Sequence, residues 1–170
     1  MQLRKTILCA ILLAVGFILH QVVPAFAGVT FDIQLSMLFV IIFICMDIKT
    51  TFIVSIASGL ITALTTKFPG GQIPNMIDKM ITGIAVYFLI KLLTKFLNRQ
   101  VSTVIVGFIG TLLSGTIFLA SALIILGRLP APFTFLFLTV ALPTAVANCI
   151  ITPLLYNIVT ASKKITGFEF

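Results

Sequence analysis

The chain has 170 residues, of which 60% are hydrophobic and 9% charged; mean hydropathy is +1.27 and net charge +7. A soluble fold carries about 25% charged residues to wet its surface, so 11 basic and 4 acidic side chains exclude a soluble enzyme, a disordered tail and a secreted disulfide scaffold. Since a helix needs ~20 apolar residues to cross a bilayer, the chain is nearly all membrane.

Six apolar stretches follow in chain order, predicting helices over residues 6–23, 31–46, 51–66, 76–97, 102–126 and 133–161. The second is short and is closed by Asp47 and Lys49. The third stops before Lys67 and a Pro/Gly cluster, and the fourth follows Pro74 and Asn75. The fifth ends at Gly127 and Arg128, and the sixth carries Pro143 and Pro153. The stretches are continuously apolar, which disfavours a closed barrel with its period-two alternation. The expected fold is an all-α membrane protein: one integral membrane domain over residues 1–170, built as a six-transmembrane-helix bundle.

With the N-terminus inside, inner segments hold Arg4, Lys5, Lys49, Lys91, Lys95, Arg99, Lys163 and Lys164, and outer segments hold Lys67, Lys79 and Arg128. This bias places both termini in the cytoplasm. Lys91 and Lys95 share a helical face and are expected to snorkel to the inner interface. The excess charge is thus a topology signal, and nucleic acid has no part in it. A competing reading sees a cleavable signal peptide in Arg4-Lys5, the apolar run and Ala25-Phe26-Ala27 before Gly28. The length of that run and the nearness of His20 and Gln21 to its end weigh against it.

No catalytic constellation, metal site or cofactor motif stands out. His20 is the only histidine, so no paired-His site exists. Cys9, Cys45 and Cys149 sit singly in apolar spans without CxxC spacing, as small buried hydrophobes do. No GxxxxGK[ST] loop occurs, so an ATP-driven step would need a motor elsewhere.

Polar groups that persist in lipid usually face the bundle interior or a cavity. Here they gather on the outer side: His20, Gln21, Asp32, Gln34, the run from Lys67 to Asn75, then Asp78 and Lys79, with Tyr87 and Asn148 deeper. Gly70-Gly71 can turn with positive φ and present N–H groups to an anion. Asn75 with Asp78 three residues on resembles a helix N-cap. A helix N-terminus beside Lys67 and Lys79 would seat a carboxylate, and Asp78 or Asp32 could hold an ammonium. The same residues also read as a cap, a turn and an ion pair with no ligand.

Phe26, Phe31 and Phe68 lie on outer loops where a flat ligand could stack. An indole would bury ~150–250 Å², which corresponds to ~4–6 kcal/mol. Its N–H needs an acceptor, which His20, Gln34 or Asn148 could supply; for Asn148 the competing role is an interhelical hydrogen bond, about 0.6 kcal/mol on average. Small residues recur at four-residue spacing as Ala10/Ala14, Ser55/Gly59/Ala63, Gly107/Thr111/Gly115 and Ala141/Ala145, most of them expected to be internal packing.

The end of the first helix, Leu19-His20-Gln21-Val22-Val23-Pro24, the span from Phe31 through Asp47-Ile48-Lys49, and the run from Lys67 to Lys79 carry a resemblance. The chain resembles the S components, the substrate-binding membrane subunits of energy-coupling factor transporters, and is most similar to their tryptophan-specific branch. The resemblance spans essentially the whole chain, and its most specific part is the run from Lys67 to Lys79. It implies a six-helix bundle in the bacterial plasma membrane that captures its substrate under outer loops. It also implies docking on a transmembrane coupling subunit that carries two cytoplasmic ATPase subunits, with Ala10 and Ala14 presenting the docking face.

On that reading Lys67, the Gly70-Gly71 turn and Asn75 take the tryptophan carboxylate and Asp78 the amine. His20, Gln34 or Asn148 orients the ring, Phe68 stacks on it, and Gln72 and Lys79 complete the binding set. The alternatives are an S component for another small molecule such as a vitamin, an autonomous ion-coupled carrier, and an intramembrane enzyme. The carrier would need charged groups near the midplane, which the sequence does not place there; the enzyme lacks a catalytic pair.

Overall fold

The computed structural model describes residues 3–22, 25–26 and 29–166. Helix α1 (Leu3–Val22) leads to a hairpin in which β1 (Ala25–Phe26) pairs antiparallel with β2 (Val29–Thr30). Then come α2 (Gln34–Cys45), α3 (Ile48–Thr65), α4 (Gln72–Phe96) and α5 (Arg99–Leu126). The last rod starts as α6 (Phe133–Leu136), widens into a π turn (Phe137–Ala141) and continues as α7 (Leu142–Thr166). Six helical rods thus stand where six apolar stretches were expected. Among the described residues, four helical segments are long and apolar enough to cross a membrane: Leu3–Val22, Ile48–Thr65, Arg99–Leu126 and Phe133–Ser162.

The rods differ from the expected stretches mainly at their ends, where capping decides. Helix α3 starts at Ile48 because the Asp47 carboxylate accepts from the Thr50 N–H at 2.8 Å and from its hydroxyl at 2.6 Å. These two bonds, the hydroxyl's above all, hold the Asp47 carboxyl below the usual range. Asn98 caps α5 by accepting from the Val101 N–H at 2.8 Å, so that helix takes in Arg99 and Gln100. Helix α4 starts at Gln72, before Pro74, because a first-turn proline lacks only an N–H that has no helical partner there. Helix α2 ends at Met46, a non-glycine residue at φ 44° whose N–H bonds Ile42 O at 2.9 Å.

Helix α2 occupies the middle. Every residue from Gln34 to Phe43 is buried, as expected of a helix apolar all round, and α1, α3, α4, α5 and α7 all touch it. At 12 residues it is about 18 Å long, against a hydrocarbon core of about 30 Å. Phe39 and Phe43 are its largest core side chains, the latter edge-on to Tyr156. The thiols of Cys9 and Cys45 meet at 3.8 Å where α1 packs on α2.

Three of the four small-residue rows are interior seams. Ser55 and Gly59 of α3 face Gly83 and Met76 of α4, Gly107 of α5 lies on the α7 backbone at Asn148, and Gly115 meets Ala141. Ala10 and Ala14 differ: both are exposed, on a face of α1 flanked by exposed Ile7, Ile11, Val15 and Ile18. The π turn has a local cause. Pro143 has no N–H for the Thr139 carbonyl, and the backbone widens just ahead of it, with the Leu142 N–H reaching back to Phe137 O.

Candidate substrate-binding site

A cavity opens at the end of the bundle that carries the hairpin and the α3–α4 loop, with about 610 Å³ of empty space including its mouth. One wall is apolar: Leu35, Phe68, Phe118, Leu119, Leu136, Val140 and Ala141. Phe68 and Phe118 meet edge-to-face at 5.3 Å between centroids and belong to a separate apolar cluster with Leu119, Ala122 and Leu136. The π turn places Val140 and Ala141 on this wall.

The polar part of the lining centres on Lys79. This ammonium is buried on α4 and contacts the Asp32 carboxylate at 2.6 Å, its neighbour Asp78, and Ser114 Oγ at 3.4 Å. Asp78 also accepts from Ser114 Oγ and Thr82 Oγ1, both at 2.8 Å. Asp32, in the turn before α2, accepts from the Leu35 N–H at 3.1 Å. Buried charges persist when paired and hydrogen-bonded, and here one cation serves two carboxylates.

His20, buried at the end of α1, lies 3.0 Å from Thr65 Oγ1 through Nδ1. Thr65 Oγ1 also lies 2.8 Å from Ile61 O. With the hydroxyl proton directed to that carbonyl and the ring neutral, Nδ1 carries the hydrogen and Nε2 presents a lone pair. A residue in the cavity wall with such a lone pair can accept a ligand N–H.

Of the residues expected from sequence, His20, Phe68, Asn75, Asp78 and Lys79 line the cavity. Gln34 and Asn148 stand behind it, both fully buried. Gln34 donates to Ser58 Oγ at 3.3 Å. Asn148 donates to Asp32 O and Thr111 Oγ1, each at 3.0 Å, and accepts from Ser36 at 2.9 Å. It braces the Asp32 turn against α5 and α7.

Lys67, Gly70, Gly71 and Gln72 are not in the cavity wall. Lys67 is exposed, with Nζ 3.4 Å from Gln21 O. Gly70 has the positive φ expected of the turn, 75°, whereas Gly71 at φ −73° is the residue before the first turn of α4. Asn75 is inside α4, where its amide bonds Gly71 O at 2.8 Å. The N-cap expected at Asn75 is corrected to Gly71, because the helix absorbs Pro74. Lys79 is likewise deep in the bundle and not beside the helix N-terminus. Phe31 is not in the wall either. The Phe26, Lys163 and Lys164 side chains and the Ala27–Gly28 junction lie outside the described residues.

Sequence reasoning missed the hydroxyls of Thr111, Ser114 and Thr144 and the apolar Phe118, Leu119, Leu136 and Val140. The only available signal was the Gly107/Thr111/Gly115 row, which marks the inward face of α5. Among the described residues no cluster of three or more His, Cys, Asp or Glu could hold a metal ion.

The family model described as "Tryptophan transporter TrpP" matches residues 2–164. A probable tryptophan transport protein of Clostridium acetobutylicum is 39% identical over 166 residues, 97% of this chain and 96% of its own. One from Clostridium perfringens is 43% identical over 165 residues, 91% and 90% of the two chains, and one from Bacillus subtilis is 37% identical over 169, 99% and 97%. No solved structure gives a significant match. With a family model covering nearly the whole chain and near full-length relatives behind it, this multi-pass bacterial membrane protein belongs to the tryptophan transporter TrpP family.

Proposed function

We propose that the chain is the high-affinity substrate-binding subunit for uptake of tryptophan, or a closely related aromatic amino acid, energised by a separate coupling-factor ATPase module. In this reading its six rods cross the plasma membrane with both termini cytoplasmic, in accord with the basic residues of the inner segments. The observation that carries the substrate assignment is the two-sided cavity. Its apolar lining suits an indole ring, His20 Nε2 is an acceptor for the indole N–H, and the accessible Asp32 carboxylate, with Asp78 buried next to it, suits the ammonium. Phe68 closes over the ring and Asn75 faces the amino-acid end. Gln34 and Asn148 hold the cavity from behind, and Lys67, Gly70, Gly71 and Gln72 form the loop that leads into it.

The chain contains no tryptophan and two tyrosines, so the fluorescence of bound L-tryptophan can be read against a dark background. Titration of the purified protein is expected to give saturable one-site binding with Kd of about 1 μM or tighter, about 8 kcal/mol. Absence of binding, together with tight binding of a vitamin such as biotin or thiamine, would move the chain to another substrate.

The exposed Ala10/Ala14 face supports docking of α1 on a transmembrane coupling subunit that carries two cytoplasmic ATPases, since small residues let helix backbones approach closely. Ala14→Leu is expected to reduce co-purification with the coupling subunit at least about tenfold, the effect of an overpacked contact, while tryptophan binding stays unchanged. Unchanged co-purification would place docking elsewhere.

The buried Asp32–Lys79–Asp78 cluster favours one second reading, an autonomous ion-coupled carrier, because such carriers keep charged groups within the bundle. Tryptophan uptake into liposomes containing this chain alone, with an ion gradient and no ATPase, would establish it in place of the first.

A further inference from the structure

We propose that the cavity selects its ligand by positive charge: it accepts aromatic ammonium compounds as a class, the carboxylate being dispensable, so that decarboxylated indole amines are ligands of this protein. The inference rests on the tryptophan reading of the same cavity and extends it from one amino acid to a chemical class.

The charges facing the cavity are the carboxylates of Asp32 and Asp78 and the ammonium of Lys79. With histidine counted neutral, they sum to −1. The cation is not available to a ligand. The three protons of Lys79 have three protein oxygens to meet, on Asp32, Asp78 and Ser114. Asp78 is enclosed in the same way, accepting from Lys79, Ser114 and Thr82. Asp32 alone of the cluster keeps accessible surface, its side chain 18% exposed, so it is the group an incoming cation meets.

The donors left for an anion are neutral and few: among the described residues of the wall, the hydroxyls of Thr30 and Thr66 and the second Asn75 amide proton have no protein acceptor. Thr111 and Thr144 give their protons to the carbonyls of Gly107 and Val140, both at 2.6 Å, and Ser114 gives its own to Asp78. Asn75 directs one amide proton to Gly71 O. Lys67 is outside the wall. A ligand carboxylate would enter a net-negative space with only neutral donors, whereas a ligand ammonium finds an accessible carboxylate and, on the ring side, the His20 acceptor.

The test is a charge series on one indole skeleton, measured by direct calorimetric binding to the purified full chain and by displacement of labelled tryptophan. Tryptamine carries a cation, tryptophol a neutral hydroxyl and indole-3-propionate an anion. Tryptamine is expected to bind within about tenfold of tryptophan, and tryptophol at least about tenfold more weakly than tryptamine, the loss expected for a hydrogen bond to a charged group. Indole-3-propionate is expected not to compete.

If tryptophan binds but tryptamine binds no better than tryptophol, or indole-3-propionate competes, selection by positive charge is overturned while the tryptophan site stands. If tryptamine binds and tryptophan does not, the class assignment stands and the tryptophan reading falls; if neither binds, both fall. Asp32→Asn keeps the acceptor for the Leu35 N–H and is expected to erase the preference of tryptamine over tryptophol. The wild-type series decides the matter should that variant fail to fold.

Discussion

Lys79→Met is expected to lower the thermal unfolding temperature of the detergent-purified protein by roughly 6–20 °C and to abolish tryptophan binding. Methionine keeps most of the stem but removes the ammonium that Asp32 and Asp78 share. Removing one partner of a buried pair costs about 3–5 kcal/mol, because the remaining charge is left without compensation; for a chain of this size that converts to the stated range. Two carboxylates on one site also repel, which forces a proton onto one of them. The double variant Lys79→Met/Asp78→Asn should recover part of the loss, since it removes one of the two facing carboxylates, keeps one acceptor for Thr82 or Ser114, and leaves charged only Asp32, which is partly exposed. Circular dichroism melts of the three proteins check this. A single variant that melts with the wild type would mean that the cluster is not an electrostatic unit.

The second large effect is expected at Gly107. A Cβ built there would sit 2.4 Å from the Asn148 carbonyl oxygen and 3.0 Å from Cys149 Cα. These are backbone atoms and cannot rotate away, so even Gly107→Ala must push α5 from α7. Overpacking of this kind costs about 1–3 kcal/mol. The same displacement pulls on Asn148, which holds Thr111 and the Asp32 turn, so tryptophan affinity should fall along with stability although Gly107 does not line the cavity. Gly59→Ala is the comparison: its nearest neighbour is the flexible Met76 Sδ at 3.1 Å, and it should change neither property by as much. Equal losses in the two variants would refute the seam argument.

These two residues also mark what could be read in the sequence and what could not. The rods were legible because hydropathy alone defines them. Their ends were not, since Asp47 and Asn98 act by capping and Pro74 is tolerated only because of where it falls in its turn. Asp78, Lys79, Asn75, Phe68 and His20 stood out as polar or aromatic groups near the expected outer face, and the structure brings them together around one cavity. Lys67 and Gln72 stood out for the same reason but are exposed and outside the cavity wall, with Lys67 reaching Gln21 O. Gln34 and Asn148 are drawn behind the wall by partners remote in sequence, Ser58 in one case and Asp32, Ser36 and Thr111 in the other. Thr111 and Thr144 were invisible because a threonine that returns its proton to its own helix looks the same whether it faces a cavity, a neighbour or lipid.

The central helix has a consequence for how the protein is made. At 12 residues α2 is shorter than the ~20 that a segment needs to partition into lipid by itself, and it carries Gln34 and Ser36 at one end. Its shelter comes from α1, α3, α4, α5 and α7, most of which are synthesised after it. Biogenesis must therefore keep α2 in a provisional position, paired with α1 or α3 as a hairpin, until later helices arrive to enclose it. Since the cavity is built on the turn that precedes α2, it is completed only at the end of that assembly.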